Sequence, residues 1–155
     1  MKLMTSVFKI LNWLRVASNA QMRLYDADEL TLARAMRLLY YVQGTHLALY
    51  GKKAFTDEII ASEKGPIVPA VQRDYQGQTA IVGELTPQDV ADYQAISETS
   101  SLGQVLNAVW LAFGDLSTVE LVKRTHTEKP WRQTTLGQPI APALMAEYFT
   151  QEIVR

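Results

Sequence analysis

The segment from Leu32 to Leu49 carries apolar residues on more than one face of a helix. One stripe recurs at alternating three- and four-residue steps and consists of Leu32, Ala35, Leu39, Val42, His46 and Leu49. Leu38, Tyr41 and Leu47 add apolar surface outside that stripe. A helix that is apolar on several faces has to be covered by other elements, so the sequence predicts a central core helix in a mainly α fold.

The composition suits one domain without metal or disulfide support. With 155 residues, 48% of them apolar, the chain can bury a sizeable core, and we expect one compact domain over residues 1–155. It has no cysteine, which excludes disulfides and fits a reducing cytoplasm. Two histidines rule out a histidine-rich metal site, and we expect no cofactor.

The charge and the amino terminus limit the classes of partner. Fifteen basic and sixteen acidic residues leave a net charge of −1, which argues against nucleic acid as a partner. Lys9, Asn12 and Arg15 interrupt the apolar residues of the first twenty positions, so we expect an amphipathic helix there and not a signal peptide. No later apolar run is long enough to cross a membrane.

The first half of the chain predicts two helices joined by a connection. Apolar spacing indicates a helix over Thr5–Ala17, followed by a connection over Asn19–Tyr25. Asp26, with Glu29 three residues later, resembles a capped helix start, and Gly51 suits the end of that helix.

Between the central helix and residue 82 the signals are short. A small β-hairpin is predicted around Thr56–Glu58, although Ile59 and Ile60 also suit the start of a helical turn. Gly65-Pro66 predicts a turn. A short helix is expected from Pro69 to about Gly77, and a small strand over Thr79–Val82.

The second half predicts further helices. Their signals are a Thr86-Pro87 start with an end near Ile96, helical spacing from Leu102 to Gly114, a Ser117–Glu120 capping box with an end near Arg124, and a last helix beginning at Pro142. A loop is expected between Pro130 and Pro139. The fold class is therefore mainly α, with a small β-hairpin.

The stretch Thr125-His126-Thr127-Glu128 admits a chemical and a structural interpretation. Glu128 close to His126 is compatible with general-base chemistry, as in a small hydrolase. A helix end before a proline also needs polar side chains to satisfy free backbone groups, and this structural role is favoured. His46, on the apolar stripe, is expected to be a hydrogen-bonded core residue. The sequence has no nucleophile elbow, and we predict no catalytic site.

Basic and aromatic residues occur on the central helix, directly after it, and around the stretch from Thr125 to Glu128. They are solvated surface residues or, if the segments converge, a basic rim around aromatic rings that suits a protein interface. The candidate partner-binding residues are Arg37, Tyr40, Tyr41, Lys52, Lys53, His126, Glu128 and Trp131.

Several blocks in a fixed order resemble the Panacea domain of SocA-like antitoxins. The matching blocks are Arg37-Leu38-Leu39-Tyr40-Tyr41, Gln43, Leu49 with Gly51-Lys52, Gly65-Pro66-Ile67-Val68-Pro69, and Thr125-His126-x-Glu128-x-Pro130-Trp131. The resemblance covers nearly the whole chain. It implies a phage or prophage antitoxin that binds and neutralises a cognate protein toxin, one that the adjacent gene would encode, and no enzymatic activity.

The resemblance leaves alternatives open. At least one family member delivers its toxin to a AAA+ protease, so an adaptor role is the second possibility. A small hydrolase using His126 and Glu128 is a third, and DNA-binding autoregulation would need a basic face that the net charge does not predict.

The chain departs from the family pattern at a few positions. Arg37 replaces the usual Lys, Ala35 stands where Leu is usual, and Ile60-Ala61-Ser62-Glu63-Lys64 replaces Glu-Ala-Trp-Lys-Tyr. Residues 79–101 match no fixed family pattern. These differences suggest a toxin partner of its own.

The shared blocks are expected to meet in space. We predict that the central helix, over Asp28–Tyr50, packs against the turns at Pro130-Trp131 and Gly65-Pro66. Trp131 is then either a core anchor, which is favoured, or an exposed hot spot for the toxin.

Overall fold

The computed structural model describes residues 4–98 and 101–154. Within these ranges the chain forms eight helices and one two-stranded antiparallel sheet. In chain order they are α1 (Val7–Tyr25), α2 (Leu32–Tyr50), β1 (Ile60–Ser62), β2 (Gly65–Ile67), α3 (Pro69–Asp74), α4 (Pro87–Ser97), α5 (Leu102–Phe113), α6 (Thr118–Thr127), α7 (Lys129–Arg132) and α8 (Pro142–Glu152). The predicted fold class is confirmed.

Helix α2 is the centre of the fold. Every residue from Arg34 to Leu47 is buried. Helices α1, α5, α6 and α8 pack around α2 together with strand β2, while α4 lies against α1 and α5. The apolar residues on several faces of α2 are therefore covered, as the sequence predicts.

The capping signals predicted at Thr86 and Ser117 are confirmed. The Thr86 side chain accepts a hydrogen bond from the Asp89 amide, and the Asp89 side chain accepts one from the Thr86 amide. Pro87 occupies the first turn of α4. Ser117 and Glu120 form the same reciprocal pair at the start of α6. Both predicted starts hold because a capping box depends only on residues within one turn.

The predicted boundary between the first two helices is wrong. Helix α1 continues through residues 19–25 and ends at Asp26, whose φ of 53° is left-handed. Helix α2 begins after Thr31, which caps it by accepting from the Arg34 amide. The Glu29 carboxylate instead accepts a hydrogen bond from the Val82 amide. Nearby, the Leu32 amide donates to the Thr79 carbonyl, and the Ile81 amide donates to the Leu30 carbonyl. These bonds between distant segments hold residues 29–31 extended, which no local signal reveals.

The hairpin lies later than predicted. Ile60 pairs with Ile67 and Ser62 with Gly65, so the turn falls at Glu63-Lys64 and not at Thr56–Glu58. Gly65 has a φ of 120°, a backbone conformation that side chains disfavour, which explains a glycine at this point. Residues 79–82, predicted as a strand, contribute one bridge between Ala80 and Thr31.

The predicted loop between Pro130 and Pro139 contains helix α7, and its last part lines up beside β1. Ile60 bridges to Pro139, and the Ile140 amide donates to the Ile59 carbonyl. The hairpin is therefore fixed on one side by the segment that leads from α7 to α8.

No single helix in the described ranges is long and apolar enough to cross a membrane. Helices α5 and α6 meet the length and composition criteria only as a pair, and they are bent by 105° relative to one another.

Helices α2 and α8 approach closely at Gly44. A Cβ atom built on Gly44 would lie 2.4 Å from the ring of Phe149, which is fully buried on α8. The absence of a side chain at residue 44 is thus what allows the Phe149 ring to pack on α2.

We expect Gly44→Ala to destabilise the protein by about 1–3 kcal/mol, because the added methyl group overpacks this contact. In an unconstrained helix the same change stabilises by roughly 0.5–1 kcal/mol, so the sign of the effect is diagnostic. Urea unfolding of Gly44→Ala, Phe149→Leu and the double variant measures it. The double variant should lose less free energy of unfolding than the two single variants lose together. A stabilising Gly44→Ala would contradict the close approach.

Candidate functional site

A carboxylate is buried at the junction between α6 and α7. Glu128 has an extended backbone, with φ −90° and ψ 140°, and separates the two helices. Its side chain is 2% exposed. Its Oε1 accepts a hydrogen bond from the Tyr40 hydroxyl at 3.0 Å, and its Oε2 accepts one from the Tyr41 hydroxyl at 3.1 Å. Two adjacent residues of α2 thus hold one carboxylate, a group defined here as the Tyr–Glu network.

Arg124 partly balances the charge of Glu128. Its Nε lies 3.5 Å from Oε2 of Glu128, one helical turn away, and its side chain is 47% exposed. Burial raises the pKa of Glu128 to about 7, while the two tyrosine hydrogen bonds and Arg124 act in the opposite direction. Burial and the nearby carboxylate raise the pKa values of Tyr40 and Tyr41, so both remain protonated donors.

Aromatic rings enclose the network. Tyr41 stacks on Phe113 of α5 with ring centres 4.1 Å apart, and Tyr40 meets Phe149 of α8 edge to face at 5.3 Å. The Arg124 guanidinium lies 5.1 Å from the centre of the Phe113 ring. These contacts exclude water from the carboxylate, which is why burial dominates its pKa.

Trp131 connects α7 to the hairpin. Its indole Nε1 donates to the Ser62 carbonyl at 2.8 Å. One face of the ring stacks on His126, with centres 4.3 Å apart and planes 22° from parallel. Trp131 is partly buried and packs against the core. The ring therefore has both a structural contact and an accessible portion, and the two predicted roles are not mutually exclusive.

The geometry does not pair His126 with Glu128, as the alternative of a small hydrolase would require. No hydrogen bond joins His126 to Glu128 in the described part of the chain, since the Glu128 oxygens are occupied by Tyr40, Tyr41 and Arg124. The His126 Nε2 atom is buried without a partner. The contact between His126 and Glu128 that would orient the imidazole for hydrolysis is therefore not observed among the described residues.

The predicted partner-binding residues do not form one surface. Tyr40, Tyr41 and Glu128 lie in the interior, which corrects their assignment as direct contacts. Tyrosines on an apolar helix become core residues when a buried acid is available to pair with their hydroxyls. The sequence shows the tyrosines and the acid but not that they meet, because 87 or more positions separate them.

Lys52 and Lys53 lie at the far end of α2. The Lys52 carbonyl pairs with Nδ1 of His46 at 2.6 Å, and Lys53 Nζ donates to the Thr56 carbonyl at 3.3 Å. The carboxyl end of α2 is about 15 Å from Tyr40 along the helix axis, at 1.5 Å per residue. The two lysines are therefore separate from the Tyr–Glu network. His46 is the hydrogen-bonded core histidine that the sequence predicts.

The accessible residues around the α6–α7 junction are basic and aromatic, and we call them together the α6–α7 surface. It consists of Arg124, Lys129 and Arg132 with the stacked rings of His126 and Trp131. Lys129 and Arg132 border one shallow depression. Cationic and aromatic groups together are characteristic of protein-binding surfaces.

Arg37 is buried beside the hairpin turn. It is 4% exposed and donates to the carbonyls of Ala33 and Lys64, which connects α2 to the hairpin turn. The sequence suggests a solvated Arg37 because its hydrogen-bond acceptors are backbone carbonyls, which every residue has and which no residue pattern reveals.

A family model described as antitoxin SocA-like, Panacea domain, matches residues 36–132. No curated protein and no solved structure matches the chain. The matched range begins within α2 and ends with α7, so it contains every member of the Tyr–Glu network and of the α6–α7 surface.

We expect the Tyr–Glu network to make stability depend on pH. The raised pKa of Glu128 means that between about pH 4.5 and about 7 the folded chain keeps a proton that the unfolded chain has lost. The free energy of unfolding should therefore fall as pH rises through this window and level off above it.

Glu128→Gln is the matched control, because it keeps a hydrogen-bonding side chain of the same size without a titrating group. Urea unfolding of both proteins between about pH 5 and 8 measures the difference. As pH rises to about 7, the free energy of unfolding of the wild type should fall relative to that of Glu128→Gln. Parallel curves would show that Glu128 titrates normally.

Proposed function

The chain belongs to the antitoxin SocA-like, Panacea domain family, and we propose that it neutralises a cognate protein toxin by direct contact in the cytoplasm. The family match over residues 36–132 is the observation that carries this proposal. The toxin would be encoded by the adjacent gene, as in two-gene systems of phage or prophage origin.

The α6–α7 surface supports this proposal because it has the chemistry of a protein-binding site. Arg124, Lys129 and Arg132 give it a local positive charge although the whole chain has a net charge of −1. Trp131 supplies a large ring that is already held by a hydrogen bond and a stack, so little side-chain entropy is lost on binding. An acidic and partly apolar face of the toxin would complement this surface.

The Tyr–Glu network would act as support for the surface. Glu128 fixes the point where α6 turns into α7, and Trp131 follows three residues later. A change in the network would therefore weaken binding indirectly, through the position of α7, although no toxin atom could touch Tyr40 or Tyr41.

Co-expression with the adjacent gene product tests the function. The product should arrest growth alone and be harmless when this chain is present. A steady toxin level in the rescued cells would indicate neutralisation by binding. A toxin level that falls only in the presence of a AAA+ protease would indicate the adaptor role instead. A product that is harmless alone, or toxic despite abundant antitoxin, would contradict both.

We expect Trp131→Ala to lower both stability and toxin affinity. Fully buried tryptophans cost about 3–5 kcal/mol when replaced by Ala, and the partial exposure of Trp131 places the loss nearer 2–3 kcal/mol. Trp131→Phe, which keeps a ring and loses the bond to Ser62, should cost about 1 kcal/mol. Thermal unfolding and calorimetric toxin binding, measured below the melting temperature of each variant, give the two quantities.

Trp110→Ala is the matched control, since Trp110 is another partly buried tryptophan and lies on α5 against Trp13. It should lower the melting temperature while leaving toxin affinity within about twofold, because interface losses concentrate in contact residues. Equal effects of Trp110→Ala and Trp131→Ala on affinity would remove Trp131 from the binding surface.

A further inference from the structure

A cavity of about 560 Å³ lies between the first half of α2, the hairpin turn and the segment after α3. Its apolar lining comes from Leu32, Ala33, Met36 and Ile67, and its basic lining from Arg37 and Lys64. Lys64 and Thr79 are exposed, so the cavity opens at the protein surface. Its volume lies in the range of cavities that enclose a small ligand or a few side chains.

The Arg37 guanidinium in this cavity has no counter-charge. Its two hydrogen bonds go to neutral carbonyls, those of Ala33 and Lys64, and its Nε is buried without a partner among the described residues. No carboxylate of the described residues lies within 4 Å of it, although Glu63 also lines the cavity. Burial lowers the pKa of Arg37. A buried cation with no anion beside it is costly, and a carboxylate entering the cavity would relieve that cost.

We propose that this cavity receives an acidic side chain of the toxin, an Asp or Glu with an apolar neighbour, and that Arg37 pairs with its carboxylate. This assignment rests on the proposed function and names a second contact with the same partner. The apolar lining accommodates the neighbouring side chain, while Lys64 at the opening adds to the attraction. Arginine suits this role because its planar group offers several donors to one carboxylate.

Arg37 also has a structural role, since it joins α2 to the hairpin turn. A loss of binding in Arg37→Gln alone would therefore be ambiguous. Two other substitutions leave its carbonyl bonds in place. Ala33→Phe fills the cavity from α2, and Glu63→Gln removes a negative charge from the cavity lining that would repel an incoming carboxylate.

The test is calorimetric binding of the purified adjacent gene product to the full chain and its variants, each checked by thermal unfolding. We expect Ala33→Phe and Arg37→Gln to weaken binding by about tenfold or more, and Arg37→Lys to recover part of the loss by restoring the charge. Glu63→Gln should tighten binding by about twofold to threefold at low salt. Ala108→Phe, an equal change at an exposed position of α5 outside the cavity, should stay within about twofold.

A folded Ala33→Phe that binds like the wild type would overturn the proposal, as would a Glu63→Gln that binds more weakly. Either result with normal wild-type binding leaves the proposed function intact. If the wild-type chain fails to bind the adjacent product at all, the proposed function fails and the assignment of the cavity to that partner fails with it.

Discussion

The carboxylate of Glu128, held between the hydroxyls of Tyr40 and Tyr41, is the interaction on which the rest of the arrangement depends. A buried carboxylate is tolerated only when its oxygens are hydrogen-bonded, so the two tyrosines and Arg124 are required for the acid to remain inside. In return, the acid fixes the end of α6 against the central helix. Helix α7 begins at the next residue, and through Trp131 it positions the hairpin. The Tyr–Glu network thereby connects the core to the α6–α7 surface and to the Arg37 cavity, the two places that we assign to toxin binding.

The sequence predicts those parts of the fold that depend on near neighbours. The boxes at Thr86 and Ser117 are satisfied within one turn, and the multiple apolar faces of α2 require a central position whatever surrounds it. The predicted start at Asp26 failed because residues 29–31 bond to residues 79–82, some fifty positions away. The hairpin was misplaced for a related reason, since its register is set by pairing between Ile60 and Ile67 and by the segment before α8.

The candidate site shows the same limit more clearly. The candidate partner-binding residues were chosen by residue type and by their place in or beside the shared blocks, neither of which shows whether a side chain is exposed. Tyr40 and Tyr41 appear as interface residues by type and become core residues because an acid meets them from a distant helix. Much of the resemblance to the family is therefore carried by interior residues. Exposed residues would then determine which toxin is bound. The stretch from Ile60 to Lys64, which departs from the family pattern, contacts Trp131 through Ser62 and Arg37 through Lys64.

Amide hydrogen exchange of the double variant Tyr40→Phe with Tyr41→Phe tests most directly whether the Tyr–Glu network supports the binding surface. The amides of Arg132 and Gln133 report on α7, since they donate to the carbonyls of Glu128 and Lys129. Removing both hydroxyls should speed their exchange and that of the hairpin, while α4 and the middle of α2 keep their protection. Unchanged exchange in α7, or faster exchange spread evenly over all helices, would contradict the account.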